Sequence, residues 1–150
     1  YLELEFTESA FLDGVDELYE FMEKLRAKGF RLAMDDFGSG YSSLNMLKNV
    51  PLDVVKIDKE FINETVVTER GKTIVENTIA LVNKLDMDLV AEGVENEPQA
   101  KFLMEAGCIV AQGFLYAKPV PVEVFEQIAF HQRREFEPET LSEIRRKKRK

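Results

Sequence analysis

Short runs rich in β-branched and aromatic residues alternate along this chain with longer segments of helical period, a pattern that restricts the fold to a parallel α/β architecture. Strands are expected at residues 2–6, 30–35, 53–57, 88–91 and 109–112. Between the first two, Val15, Leu18, Tyr19, Met22 and Leu25 recur at helical spacing, with Gly29 as the stop before the next strand. Ile74, Thr78, Leu81, Val82 and Leu85 outline a second helical face, and Ala100, Leu103 and Met104 a third. Pro51 and Pro98 punctuate element starts, and Gly107 a helix end.

Five units in 150 residues, about 30 residues each, match the spacing of a (β/α)8 barrel, whose eight units typically take about 250 residues. The expected fold class is α/β, a TIM-barrel-like (β/α)8 architecture represented by about its last five β/α units. A doubly wound open sheet would show the same alternation, but no Gly-rich phosphate loop follows any expected strand. Residues 1–132 are expected to form one partial domain, and residues 133–150 a polar, basic tail.

With 45% apolar and 10% aromatic residues, the chain carries enough apolar surface for a hydrophobic core. No apolar run approaches the roughly 20 residues of a bilayer-spanning helix, and no secretory pattern opens the chain. Cys108 is the single cysteine and cannot form an internal disulfide, so a cytoplasmic location is expected. The last six residues are all basic and contribute +6 to a net charge of −8, so the rest of the chain carries −14. So acidic a body argues against DNA as a partner, because attraction to phosphate needs clustered cations. If the substrate is a phosphate ester, bound metal cations must reverse the local charge.

What ends the expected strands is more telling. Glu5 and Glu8 follow the first, Asp35 and Asp36 the second, Lys56 and Asp58 the third, Glu92 and Glu95 the fourth, and Gln112 the fifth. In a parallel barrel the C-terminal strand ends converge on one mouth, which would gather side chains scattered in sequence. Carboxylates brought so close repel one another unless cations sit among them. Oxygen-only ligands favour Mg2+ or Mn2+, since His131 and Cys108 are the only residues of their kinds.

These residues are also recognisable as motifs. Glu5-Phe-Thr-Glu8-Ser, Asp35-Asp36-Phe-Gly-Ser-Gly-Tyr-Ser-Ser-Leu44, Lys56-Ile-Asp58, Ala91-Glu92-Gly-Val-Glu95 and Gln112-Gly-Phe-Leu-Tyr-Ala-Lys-Pro119 resemble, in order and spacing, successive motifs of the EAL family of cyclic di-GMP phosphodiesterases. The resemblance runs to about Phe130. It implies hydrolysis of cyclic di-GMP to linear pGpG in bacterial second-messenger signalling, at a two-metal site of Mg2+ or Mn2+. Glu5 and Asp35 resemble ligands of one metal, with Asp35 bridging to a second that Asp36 and Glu92 help to hold. Such a pair would activate water for in-line attack and stabilise charge on phosphorus.

Lys56, among carboxylates, should stay charged, so its implied part is to hydrogen-bond the attacking water or a phosphate oxygen. Gln112 would supply a neutral hydrogen bond, and Glu92 is counted with both as catalytic. Glu8 resembles the glutamate that steadies the loop after Asp36. That loop, residues 37–43, couples dimerisation or signal input to metal binding in the family, and Ser39 stands where threonine is commoner. Implied partners are cyclic di-GMP and, in the parent protein, a second copy or upstream signalling domains.

Taken singly, an acidic residue at a strand end has an ordinary solvated or capping role, and only the joint pattern points to a site. Asp58 is either a site residue or the cap of a helix beginning near Lys59. Glu95 is either a substrate-side group or a helix-start residue before Asn96 and Pro98. His131 reads as a surface residue, and Cys108 as a small buried one. The basic tail is a solvated segment or a contact for anionic lipid or nucleic acid.

The family's Glu-Ala-Leu glutamate, and an asparagine on the strand that follows it, have no counterpart before Tyr1. The chain is therefore expected to be a C-terminal portion, with an incomplete first metal site and unpaired strand edges that leave it weakly stable or dependent on a partner. Three functions stand side by side: the C-terminal part of a phosphodiesterase, a degenerate non-catalytic module that binds cyclic di-GMP or a protein, and an unrelated metal-dependent barrel enzyme.

Overall fold

The computed structural model describes residues 2–11, 15–39, 44–65 and 68–132, in two compact units, Tyr1–Ala117 and Lys118–Lys150. In the first unit β1 (Glu3–Thr7), β2 (Arg31–Phe37), β3 (Val54–Ile57) and β4 (Asp88–Ala91) form one parallel sheet in sequence order. Helices fill the connections: α1 (Val15–Ala27) precedes β2, α2 (Leu44–Asn49) precedes β3, α3 (Lys59–Thr65) and α4 (Glu69–Lys84) precede β4, and α5 (Glu97–Ala106) follows it. The strand order never reverses among the described strands, so the sheet lacks the switch point that defines a doubly wound fold. In the second unit, α6 (Val122–Gln132) opens with the amides of Val124 and Phe125 donating to the carbonyl of Pro121. Residues 133–150, read above as a tail, and part of the loop after Asp36 (residues 40–43) lie outside the described residues, as do the side chains of Val15 and His131.

Alternation along parallel strands sorts the sheet into two faces. Phe6, Met34, Val55 and Leu89 lie opposite one another across all four strands. Together with Leu32, Phe37, Ile57 and Ala91 they meet Met22 of α1, Val75, Ile79 and Val82 of α4 and Leu103 of α5 in the core. The opposite face carries the row Glu5, Ala33, Val54 and Asp88, small in the middle and charged at both ends. β3 is buried along its whole length, as expected for a central strand, whereas β1 alternates. Local signals fix the helix ends. Thr68 caps α4 by accepting from the amide of Gly71 at 3.0 Å, and Asn96 with Gln99 forms a capping box on α5. Gly107 ends α5 in the left-handed conformation, at φ 99°.

Three expectations need correcting. The buried face of α4 is Gly71, Val75, Ile79 and Val82, while Ile74 and Leu85 are 46% and 41% exposed. The helix is rotated relative to the expected stripe, and Gly71, which carries no hydrophobic signal, is the buried residue of its first turn. In α5 only Leu103 is buried, and Met104 is 63% exposed. The expected strand at 109–112 is reduced to one bridge, Ala91 to Ala111. The Gln112 amide donates to the Ala91 carbonyl at 2.9 Å, and the chain then turns at once, with the Tyr116 amide donating to Gly113. At the strand boundaries, Leu2, Phe30 and Asp53 fall outside β1, β2 and β3, and β2 extends beyond Asp35 to Phe37. Among the described residues no helix is long and apolar enough to cross a membrane.

The rotation of α4 is checked by substitution. Ile79→Ala should cost about 2–5 kcal/mol in urea unfolding, and Ile74→Ala less than about 1 kcal/mol, because only the former opens a cavity.

Candidate metal centre

Two consecutive residues on a regular strand point to opposite faces, so Asp35 and Asp36 could not ordinarily share a site. β2 escapes this through an irregularity in its pairing with β3. Met34 lies opposite Val55 and Phe37 opposite Ile57, which leaves Asp35 and Asp36 together against the single residue Lys56. This is the geometry of a β-bulge. Asp36 takes the left-handed backbone at φ 57°, a conformation aspartate tolerates better than most residues because its short side chain can bond locally. Asp35, Asp36 and Glu92 consequently each offer one carboxylate oxygen, and the three oxygens lie within 4.8 Å of one another.

Lys56 projects into the same cluster from β3. Its ammonium lies 2.6 Å from Glu92 Oε1, 2.9 Å from Glu5 Oε1 and 3.1 Å from Asp35 Oδ1, and the residue is only 8% exposed. Burial by itself would favour the neutral amine, but hydrogen bonds to Glu92, Glu5 and Asp35 outweigh it and raise the lysine pKa above its ordinary value. Lys56 therefore remains an ammonium at any physiological pH. The carboxyl of Asp36 is pushed up, first by burial and then by the negative charges of Asp35 and Asp58, with Lys56 pulling the other way. Glu92 is positioned by its own amide, which donates to the Ile57 carbonyl at 2.9 Å. Its Oε1 also accepts from Gln112 Nε2 at 2.6 Å.

Gln112 reaches Glu92 because residues 112–115 lie against residues 91–94. The Val94 amide donates to Gln112 and the Leu115 amide to Val94, each at 3.0 Å. Gly113 is what allows the approach, since a Cβ there would overlap the Val94 backbone. Glu8, in the 3-10 turn Glu8–Phe11, is buried and accepts from the Gly38 amide at 3.3 Å, joining the end of β1 to the loop after Asp36. Asp58 accepts from the Glu60 amide at 2.7 Å and so caps α3. Glu95 pairs with Lys59 on the exposed rim, and its amide donates to Gln99 at 2.9 Å.

The predicted site residues therefore separate. Glu5, Asp35, Asp36, Lys56, Glu92 and Gln112 form one contiguous cluster, with Glu5 attached through Lys56. Glu8, Asp58 and Glu95 lie around it, each held by contacts of its own. Sequence reasoning missed Gly113 and also the link from Gln99 to Asn63, which ties α5 to α3. The only signal for Gly113 was its place immediately after Gln112.

The donor set suits a hard divalent cation, since three carboxylates converge and no nitrogen or sulfur ligand is among them. Asp35 Oδ1 is buried, and Lys56 Nζ at 3.1 Å is the one charged donor the described residues bring to it. Such an oxygen has lone pairs available to a cation.

A sequence profile of the EAL domain matches residues 1–119. The chain is 42% identical over 127 residues to the cyclic di-GMP phosphodiesterase NbdA of Pseudomonas aeruginosa, which covers 85% of the chain but only 16% of NbdA. Among solved structures, the PaMucR phosphodiesterase in complex with c-di-GMP superposes with a TM-score of 0.75 at 44% identity, over 83% of this chain and 50% of that one. A manganese and cyclic di-GMP complex of Klebsiella pneumoniae BlrP1 gives a TM-score of 0.73 at 32% identity, over 78% of this chain and 30% of that one. The chain thus spans half or less of the length of each of these proteins.

If the bulge depends on a left-handed residue, Asp36→Val should lower stability by about 1–2 kcal/mol, whereas Asp36→Gly should not lower it. Thermal or urea unfolding of the two variants decides this, and equal losses would count against a left-handed requirement at position 36.

Proposed function

The chain belongs to the EAL domain family, and from that premise we propose that its carboxylate cluster is part of the metal centre of a phosphodiesterase that hydrolyses cyclic di-GMP to linear pGpG. The observation that carries the reading is the bulge in β2, which brings Asp35 and Asp36 to the same side as Glu92. A pair of consecutive carboxylates turned into one cluster costs backbone strain and charge repulsion, and a divalent cation is the partner that offsets both.

In this reading Asp35, Asp36 and Glu92 hold Mg2+ or Mn2+, with Asp35 shared toward Glu5. Divalent cations bound there would activate water and neutralise the charge that builds on the phosphoryl group. The remaining work belongs to the chain. Lys56, kept protonated by its carboxylate neighbours, cannot abstract a proton and instead donates hydrogen bonds to the attacking water or a phosphate oxygen. Gln112 fixes the Glu92 carboxylate, and in this reading it is the neutral donor to the water or substrate. Glu8, through the Gly38 amide, holds the backbone immediately after Asp36 and so maintains the bulge. Asp58 sets the start of α3 and adds negative charge near Asp36, while Glu95, paired with Lys59 on the rim, is the candidate substrate-side group of this reading.

Incubation with cyclic di-GMP and Mn2+, with pGpG followed by chromatography, tests the reading. Turnover should require the divalent cation and fall by more than about a hundredfold in Asp35→Asn, since loss of even an outer partner of a metal ligand costs up to about that factor. Turnover that persists in Asp35→Asn, or without divalent cation, contradicts the proposal. Saturable binding of cyclic di-GMP without turnover would assign the chain to the non-catalytic modules.

A further inference from the structure

Lys56 touches two of the three carboxylates that converge on the cation position, Asp35 and Glu92, and adds Glu5 from β1, on the far side of β2. From this geometry we infer that Lys56 is a resident counter-cation: it holds the cluster together when no metal is bound, and it competes with the metal for the same carboxylates. The inference rests on the metal reading above and adds to it a residue that sets how tightly the metal is held.

The physical basis is charge. Without a cation, Glu5, Asp35, Asp36 and Glu92 would crowd negative charge onto the end of the sheet, where Asp35, Asp36 and Glu92 are half-buried and only partly screened by water. The Lys56 ammonium is central to three of the four, at 2.6, 2.9 and 3.1 Å. It approaches from β3, directly opposite the bulge, so the strand pairing that forms the bulge also delivers the charge that neutralises it. The second cation position differs from that of the ammonium, because it includes Asp36, but it draws on the same Asp35 and Glu92. A divalent ion arriving there meets a positive charge already in place, and its affinity is lowered accordingly. An ammonium that gives up Asp35 and Glu92 is then free to donate to water or phosphate, so the two assignments of Lys56 are successive states of one group.

Mn2+ binding by calorimetry and melting temperature in chelator are measured for the protein, Lys56→Met, Lys56→Gln, Lys56→Arg and Asp35→Asn. Removing the charge should lower the melting temperature without metal and tighten Mn2+ binding by about tenfold or more, the size expected when a unit positive charge is removed from near a divalent ion. Lys56→Arg should stay close to the unsubstituted protein in both measurements. Lys56→Gln retains hydrogen bonding to the carboxylates and carries the same expectation as Lys56→Met if the latter folds poorly. A purely structural lysine would lower the melting temperature while leaving Mn2+ affinity unchanged or weaker, and that result overturns the inference. Mn2+ binding that is lost in Asp35→Asn but indifferent to Lys56 overturns the inference alone, whereas absence of Mn2+ binding throughout overturns the metal reading and this inference with it.

Discussion

Two aspartates side by side on an extended strand are a contradiction for any site that needs both, because the pleat sends them to opposite faces of the sheet. β2 resolves the contradiction by setting Asp35 and Asp36 against the single residue Lys56 and letting Asp36 adopt a left-handed backbone at φ 57°. The convergence of Asp35 and Asp36 with Glu92 depends on that one irregularity. The bulge is local, but the features that support it are not. Glu8 reaches from the end of β1 to the Gly38 amide, and the ring of Phe61 on α3 packs where any side chain at Gly38 would sit. Asp58 bonds back to Phe37 through its amide as it begins α3.

The sheet's two faces divide the labour between stability and chemistry. One face is apolar across all four strands, from Phe6 through Met34 and Val55 to Leu89, and meets α1, α4 and α5. The other is small in the middle, at Ala33 and Val54, with charged groups at its two ends. At the C-terminal end stands the Lys56 cluster, and at the N-terminal end Arg31 pairs with Asp88 at 2.7 Å and with Glu3 at 3.7 Å. Both ends are ionic, but they differ in setting. Four carboxylates crowd the buried Lys56 at the first, whereas Arg31 meets acids from β1 and β4 in an exposed setting where ion pairs contribute little.

Much of this was legible in the sequence, for physical reasons that can be named. The five strand-end motifs were readable because parallel α/β topology sends every strand's C-terminal end to one edge, so polar residues after each apolar run had to converge. The third strand was readable from Val54, Val55 and Ile57, with Lys56 the one charged residue among them. Other features were hidden because they depend on pairing partners rather than on local pattern. The bulge has no signature in Asp-Asp-Phe-Gly beyond the doublet itself, and its register becomes visible only against β3. The face of α4 was misread at Ile74 because an apolar residue on a helix does not by itself reveal which side meets the sheet, and Gly71 gave no hydrophobic cue. The strand at 109–112 was overestimated because Ile109 and Val110 carry β propensity, whereas the turn at Gly113 allows only one bridging residue.

The central claim is that the bulge creates a cation position between Asp35, Asp36 and Glu92. Crystals grown with Mn2+, with anomalous scattering recorded at the manganese edge, test it most directly. The account predicts a peak coordinated by oxygens of all three residues, lost when the same experiment is done on Asp36→Gly, which keeps the backbone and removes one ligand. Anomalous density elsewhere, or none within coordinating distance of these carboxylates, would contradict it.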